Sequence, residues 1–329
     1  VEKSNVTSMI DAAARGVFPI SVTPFLDDGA IDFASMDRVT DFFLNIGVPG
    51  ITVLGLLGEA NRLSRSESLD LVQRVARRAD GRAKIIVGTS QPGFDELQSF
   101  TRAALDLGAA GFMVAPASGL RTEEQLLAYF EEVGSRIGDG VPIVLQDYPQ
   151  TTGVFMSVST IGRLIERVPN IQIVKHEEGS ALRKITSLRA QEAQGRRRVS
   201  VLVGNSALHL PQELARGVDG ANTGVAFPEM LIEVCNRHFA GDHQACEDLY
   251  DVFLPVILHE WQVGVGLAIR KEVFRRRGLI ATARTRAPGP SLDGDDHKEL
   301  TCLLSRLHRR LDAAGEAGLI STYRIREAA

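Results

Sequence analysis

The run Ile171-Gln172-Ile173-Val174-Lys175 ends a short, apolar, β-branched segment on one of only six lysines in a chain of 329 residues. By strict alternation Lys175 falls in phase with Ile171 and Ile173. A lysine among apolar neighbours loses hydration, and desolvation leaves some free amine to attack a carbonyl. The bland alternative is a lysine that snorkels to solvent from a strand end. Glu177 shares its parity and is the second candidate for acid/base work, after Tyr148. A second apolar segment, Ile143-Val144-Leu145, runs into Gln146-Asp147-Tyr148-Pro149. Gln146 and Tyr148 have the same strand parity, and a following proline biases Tyr148 toward an extended conformation. Tyr148 is therefore the candidate hydroxyl for acid/base work, or else a rim aromatic packed on the next helix.

Four further stretches carry polar groups that could serve a site. Gly55-Leu56-Leu57-Gly58-Glu59 reads as a tight turn whose N–H groups, around Leu57 and Gly58, could hold a carboxylate, or as a plain strand-to-helix turn. Asn205 and Thr223 close two later apolar runs. His259-Glu260-Trp261-Gln262 brings a histidine and a glutamate beside the only tryptophan. Without a second histidine at the right spacing it is not a zinc motif, so a solvated helix face is its default reading. No acidic cluster has metal-ligand spacing, and no metal or cofactor is expected.

These residues need a frame that gathers strand ends. Eight short apolar runs recur, at 17–24, 50–55, 84–89, 111–116, 142–147, 171–177, 199–205 and 220–225, with helical patterns between them. Ser64 and Glu67 have capping-box spacing before one helix, and Thr122 precedes another with an acidic first turn. The repeat predicts a (β/α)8 TIM barrel rather than a doubly wound sheet, since no GxGxxG follows the first strand. Helical patterns alone follow at 229–240, 243–258, 262–277 and 296–313, with a Pro/Gly/Asp-rich connection at 286–296. The division is then an N-terminal segment 1–16, a barrel 17–228, and a C-terminal helical domain and tail 229–329. In a barrel the site lies at the C-terminal strand ends, which selects Thr23, Gly55, Thr89, Pro116, Gln146, Lys175, Asn205 and Thr223.

Composition narrows the function class. The net charge is −4, and the arginine runs 196–198 and 275–277 lack interleaved aromatics, so no nucleic-acid partner is expected. No run reaches membrane-spanning length and no signal-peptide pattern opens the chain, so no membrane partner is expected. Three widely spaced cysteines, Cys235, Cys246 and Cys302, fit a reducing cytoplasm.

The constellation resembles the dihydrodipicolinate synthase and N-acetylneuraminate lyase superfamily over roughly residues 16 to 313. It rests on Thr23-Pro24-Phe25, the 55–59 turn, Tyr148 to Gly153, Ile173 to Glu177, and Val203 to Ser206, in the family's order and spacing. The resemblance implies a barrel with a helical C-terminal domain, a homotetramer, and a Schiff base between Lys175 and a small 2-keto acid. Departures accompany it. Leu56 and Leu57 replace two threonines of the synthase turn. Gln146 stands where the synthases have their relay tyrosine, Thr151 where they have a carboxylate-gripping arginine, and Ser118 where they have an aromatic lent by a partner subunit. The Gln-Asp-x-Pro at 146–149 with His-Glu-x-Gln at 259–262 is similar instead to the 2-keto-3-deoxy sugar-acid dehydratases of the keto-deoxyarabonate type. The expected activity is dehydration of such an acid through a Lys175 imine. Pyruvate-dependent aldol cleavage on the same lysine, synthase activity proper, and non-catalytic keto-acid binding are the alternatives. Gln146, Asn205, Thr223, His259 and Glu260 are the expected contacts to substrate hydroxyls. With no arginine assigned to the distal end, a neutral, polar distal group is expected there.

Overall fold

The computed structural model describes residues 8–89, 93–179 and 182–323. Eight strands form one parallel sheet: β1 Gly16–Val17, β2 Gly50–Val53, β3 Lys84–Gly88, β4 Gly111–Val114, β5 Ile143–Asp147, β6 Ile171–His176, β7 Ser200–Val203 and β8 Gly220–Ala221. Sequential strands pair from β2 to β8, β8 pairs with β1, and a parallel bridge from Ile20 to Thr52 brings the first and second segments together. The result is a nearly closed (β/α)8 barrel. The first and last strands are much shorter than the apolar runs at 17–24 and 220–225. Pro19 and Pro24 cannot donate to a ladder, which confines regular pairing of the first run to its start. Alignment nonetheless continues past the strands, with Phe18 N–H donating to Ala221 O (2.8 Å) and Ile20 N–H to Thr223 O (3.0 Å).

The connecting helices are α1 Phe33–Asn45, α2 Arg65–Ala79, α3 Phe94–Asp106, α4 Glu123–Ile137, a single turn α5 Pro149–Thr152, α6 Val158–Arg167, α7 Leu182–Ala193 and α8 Leu210–Ala215. Both caps read from the sequence are made. Ser64 and Glu67 form a reciprocal box at the start of α2, and Thr122 does the same with Gln125 before α4. Inside the barrel, Phe18, Ile86, Met113, Val144, Ile173 and Leu202 pack together, and Ile10 closes the N-terminal end against Ala110. The opposite parity of each strand packs on the helices.

Four more helices follow: α9 Pro228–Phe239, α10 His243–Glu260, α11 Gly266–Arg276 and α12 Gly294–Ala313. They share a second apolar core with the last barrel units. The polar connection before α12 is a strap held across the barrel mouth. Arg286 donates to Gly29 O (2.7 Å), Arg62 O (2.8 Å) and Glu67 (2.7 Å). Among the described residues no helix is long and apolar enough to cross a membrane, and no group of side chains could hold a metal ion.

Candidate active site

Strands β5 and β6 set the floor of the site. Ile143 pairs with Ile171 but Val144 pairs with Ile173, so Gln172 is an extra residue in β6. Ile171 therefore packs on the outer helices while Ile173 faces the barrel interior. The expected phase of Lys175 holds with Ile173 and fails for Ile171, because the bulge resets the alternation. Lys175 points inward with only 2% of its side chain exposed, and Gln146 pairs with it in register. It does not snorkel.

Glu177 continues the inward parity past the strand. One of its carboxylate oxygens lies 2.9 Å from Lys175 Nζ and accepts from Gln146 Nε2 at 2.6 Å. Gly204 lets it stand there: a Cβ at 204 would come within 2.2 Å of the Glu177 side chain. Behind this inward row, Asp147 and His176 face outward, and Lys184 of α7 reaches Asp147 at 2.7 Å. That buried cluster braces the backs of both strands. Tyr148, with φ −128°, carries the β5 parity onward, and its side chain lines the same cavity as Gln146 and Lys175.

The cavity has a volume of about 520 Å³ and gathers Gln146, Tyr148, Lys175, Glu177, Asn205 and Thr223, as the strand-end argument expects. Asn205 and Ser206 sit in the left-handed region, with φ 49° and 56°, and Thr223 Oγ1 accepts the Ser206 N–H at 2.9 Å. Such backbone conformations cluster at functional loops. Leu57 also lines the cavity and packs so closely on Gly224 that a Cβ there would fall 1.9 Å from its methyl. Gly58 is buried beneath, its carbonyl held by Thr23 Oγ1 at 2.6 Å. Among the described residues the N–H groups of Leu57 and Gly58 meet no protein acceptor. Glu59, fully buried with φ 55°, ties this turn to α11 through Lys271.

The helical domain contributes differently from the sequence expectation. His259 is not on the cavity wall. Its Nδ1 lies 3.3 Å from the Gln262 amide, and its Nε2 is buried without a partner. Glu260 is only 1% exposed and accepts the Ala226 N–H at 3.0 Å, so it stands behind the wall. Both faces of this part of α10 turn away from the mouth, while Trp261 and Gln262, just past its end, line it. The residue that does enter is Arg270 of α11. Its Nη2 donates to Ser206 Oγ at 2.6 Å, and its Nε lies 3.7 Å from Glu260. Burial pulls the guanidinium below its ordinary value, opposed by Glu260, and lifts the Glu260 carboxyl to about 7, opposed by Arg270.

Against known proteins, the model of the dihydrodipicolinate synthetase family matches residues 13–307. The chain belongs to that family. It is an enzyme of a lyase family, and two curated relatives share its length. One is the L-2-keto-3-deoxyarabonate dehydratase of Azospirillum brasilense, 29% identical over 92% of this chain and 97% of the relative. The other is a 4-hydroxy-tetrahydrodipicolinate synthase of Methanothrix thermoacetophila, 28% identical over 89% of this chain and 97% of the relative. Among solved structures, the dihydrodipicolinate synthase of Rhodopseudomonas palustris superposes with a TM-score of 0.89. It is 43% identical and covers 91% of this chain and 99% of its own.

Within this family framework the altered positions acquire places. Ser118 and Thr151 line a side chamber of about 500 Å³ that shares Leu56, Gln146 and Tyr148 with the main cavity. Among the described residues that line the side chamber none is an arginine, and its wall adds Phe94, Pro116 and Tyr129. Thr89 lies in a third, smaller space beside Gln146. Position 151 alone offered no arginine to the site, and Arg270 lines the main cavity. That residue comes from a helix some 120 positions downstream, inside an Arg/Lys-rich stretch whose periodicity marks a solvated face. Its one signal was small: Gly266, four residues earlier, abuts the Glu260 carbonyl so closely (2.4 Å from a Cβ) that α11 must approach α10 there.

Proposed function

We propose that this chain is a Schiff-base lyase that dehydrates a 2-keto-3-deoxy sugar acid through Lys175. The observation that carries the reading is a buried lysine on the cavity floor, 2.9 Å from a carboxylate, beneath the only tyrosine hydroxyl on the cavity wall. Similarity to the Azospirillum dehydratase supports the substrate class.

The chemistry follows from the placement. The free amine of Lys175 adds to the C2 ketone and expels water, giving a protonated imine. Glu177 is placed to take the ammonium proton, to return it to the carbinolamine oxygen that leaves as water, and then to take a C3 proton, leaving an enamine. The enamine electrons expel the C4 hydroxyl, which leaves as water after taking a proton from Tyr148. Water then releases the product and regenerates the amine. The unpaired N–H groups of Leu57 and Gly58 serve the C1 carboxylate, and Gln146, Asn205 and Thr223 serve oxygens along the chain. The enzyme needs no cofactor in this scheme. A cytoplasmic homotetramer is part of the same proposal.

Aldol cleavage is the second reading, and the side chamber favours it. If Tyr148 removes the C4 hydroxyl proton before the enamine forms, C3–C4 breaks, and the chamber on the far side of Tyr148 could receive the aldehyde. Borohydride reduction with pyruvate tests the common step: intact mass should show one reduced adduct, lost in Lys175→Ala. A wild-type protein without an adduct would remove both readings. An adduct without turnover of any 2-keto-3-deoxy acid would leave a keto-acid-binding protein, and release of pyruvate from such an acid would establish the aldolase.

A further inference from the structure

We propose that Arg270 is the specificity-determining residue of the cavity: its guanidinium donates to a neutral hydroxyl at the distal end of the substrate, and Glu260 cancels its charge so that a second carboxylate is not drawn in. This deepens the Schiff-base reading, on which it rests for the identity of the proximal end. Three observations carry it. Arg270 lines the cavity over Lys175 although it comes from the helical domain. It is fixed there from two sides, by Ser206 Oγ on Nη2 and by Glu260 at 3.7 Å from Nε. Tyr148 lines the same cavity, so its side chain and the guanidinium face one ligand.

The charge balance decides the class of group recognised. An unpaired buried guanidinium would select a carboxylate by a bidentate bond. Here Glu260, 1% exposed, stands directly behind Arg270 with one oxygen held by the Ala226 N–H and the other without a hydrogen bond. Above about pH 7, where the Glu260 carboxyl is ionised, the pair presents N–H donors to the cavity with little net charge. A hydroxyl, which accepts from such donors and needs no counter-ion, fits. A terminal carboxylate would meet a guanidinium whose charge is already matched.

The test separates this from the Lys175 chemistry by using ligands that cannot form an imine. Calorimetry at about pH 8.5, where Glu260 is ionised, would compare an aldopentonate, ending in a CH2OH group, with the corresponding C5 aldarate, ending in a carboxylate. The wild type should bind the aldopentonate about tenfold more tightly or better. Arg270→Met should lose about tenfold in aldopentonate affinity while still trapping pyruvate under borohydride. Glu260→Gln should shift the preference toward the aldarate by about fivefold or more, because the guanidinium charge is then unmatched. Equal aldopentonate binding by Arg270→Met, or an unchanged ratio in Glu260→Gln, would overturn the proposal. So would a wild type that prefers the aldarate. Failure of pyruvate trapping in the wild type would instead strike the Lys175 reading, since the binding ratios do not pass through it. Should Arg270→Met not fold, Ser206→Ala, which frees Nη2 alone, should lower aldopentonate affinity and leave trapping intact, and no change in affinity would count against Arg270.

Discussion

Replacing Glu59 by Gln should weaken both the fold and the substrate turn, and the size of the effect can be worked out from its partners. Glu59 is fully buried. One oxygen pairs with Lys271 Nζ, and the other accepts from Arg62 Nη1 at 2.7 Å and from the Arg286 N–H at 2.9 Å. Lys271, equally buried, has as further partners only the Arg284 carbonyl (2.8 Å) and the Phe25 ring (4.5 Å). Breaking a buried pair from one side commonly costs about 3–5 kcal/mol. A lysine has an escape, however. Burial already pulls Lys271 from 10.5 to about 8, and without Glu59 it falls further, so at pH 7 it sheds its proton. Shedding it one pH unit below its wild-type value costs roughly 1.4 kcal/mol. Weakening the two charge-assisted bonds to the other oxygen adds about 1–2 kcal/mol. The expected loss is about 3 kcal/mol at pH 7. The sign of the pH dependence follows. A base whose folded value lies below its unfolded value makes stability rise with pH between the two. In Glu59→Gln that rise begins at lower pH than in the wild type, so the gap narrows between pH 7 and 8 by roughly 1 kcal/mol. Urea unfolding at about pH 7 and about pH 9 measures both terms. A loss below about 1 kcal/mol at pH 7, or a gap that does not shrink, would refute the argument. In steady-state assays with the 2-keto acid the loosened turn should raise KM more than it lowers kcat, because in the proposed scheme Leu57 and Gly58 bind the same carboxylate in the ground and transition states.

Two other substitutions probe the site and the second core. Tyr148→Phe should lower kcat by about 10²–10⁴-fold while leaving the reduced pyruvate adduct unchanged, because the hydroxyl acts after imine formation; unchanged kcat would transfer the acid role to Glu177. Glu213→Gln should stabilise the protein increasingly as pH rises from about 4.5 to about 8. Burial lifts the Glu213 carboxyl to about 8, so the wild-type folded state holds a proton that the unfolded chain has lost, and its stability falls by up to roughly 1.4 kcal/mol per pH unit in that window. Parallel stability curves for the two proteins between pH 5 and 8 would show that Glu213 does not carry that dependence.

The barrel was legible because its signals are local: β-branched runs, caps at Ser64 and Thr122, and a regular repeat. Lys175, Gln146, Tyr148, Asn205 and Thr223 were legible for the same reason, since a strand end names its own position in a barrel. The bulge at Gln172 was not, because nothing in Ile-Gln-Ile announces an extra residue, and the error was confined to Ile171. His259 and Arg270 show a different limit. Both lie on helices whose rotation is set by packing on the second core rather than by their own periodicity. Pattern alone could not say which polar face of α10 or α11 meets the mouth.

The displacement of the tyrosine from 146 to 148 also bears on the reaction. Gln146 pairs in register with Lys175, so a hydroxyl at 146 would stand beside the imine and serve C2 and C3. Two residues further on, the side chain keeps its face but moves out by ~6.7 Å along the strand. In the proposed scheme that sets Tyr148 further from Lys175 than a side chain at 146, toward the substrate's C4. Gln146 donates to Glu177, the group that the proposed scheme uses as proton carrier near the imine. In that scheme the residue standing at 146 supplies an amide donor for the carboxylate that acts close to C3. A proton donor for a leaving C4 oxygen and a base for C3, on separate residues, are what a dehydration requires. A condensation like that of the synthases needs its relay at the imine and a grip on a second carboxylate, and Ser118 and Thr151 provide neither.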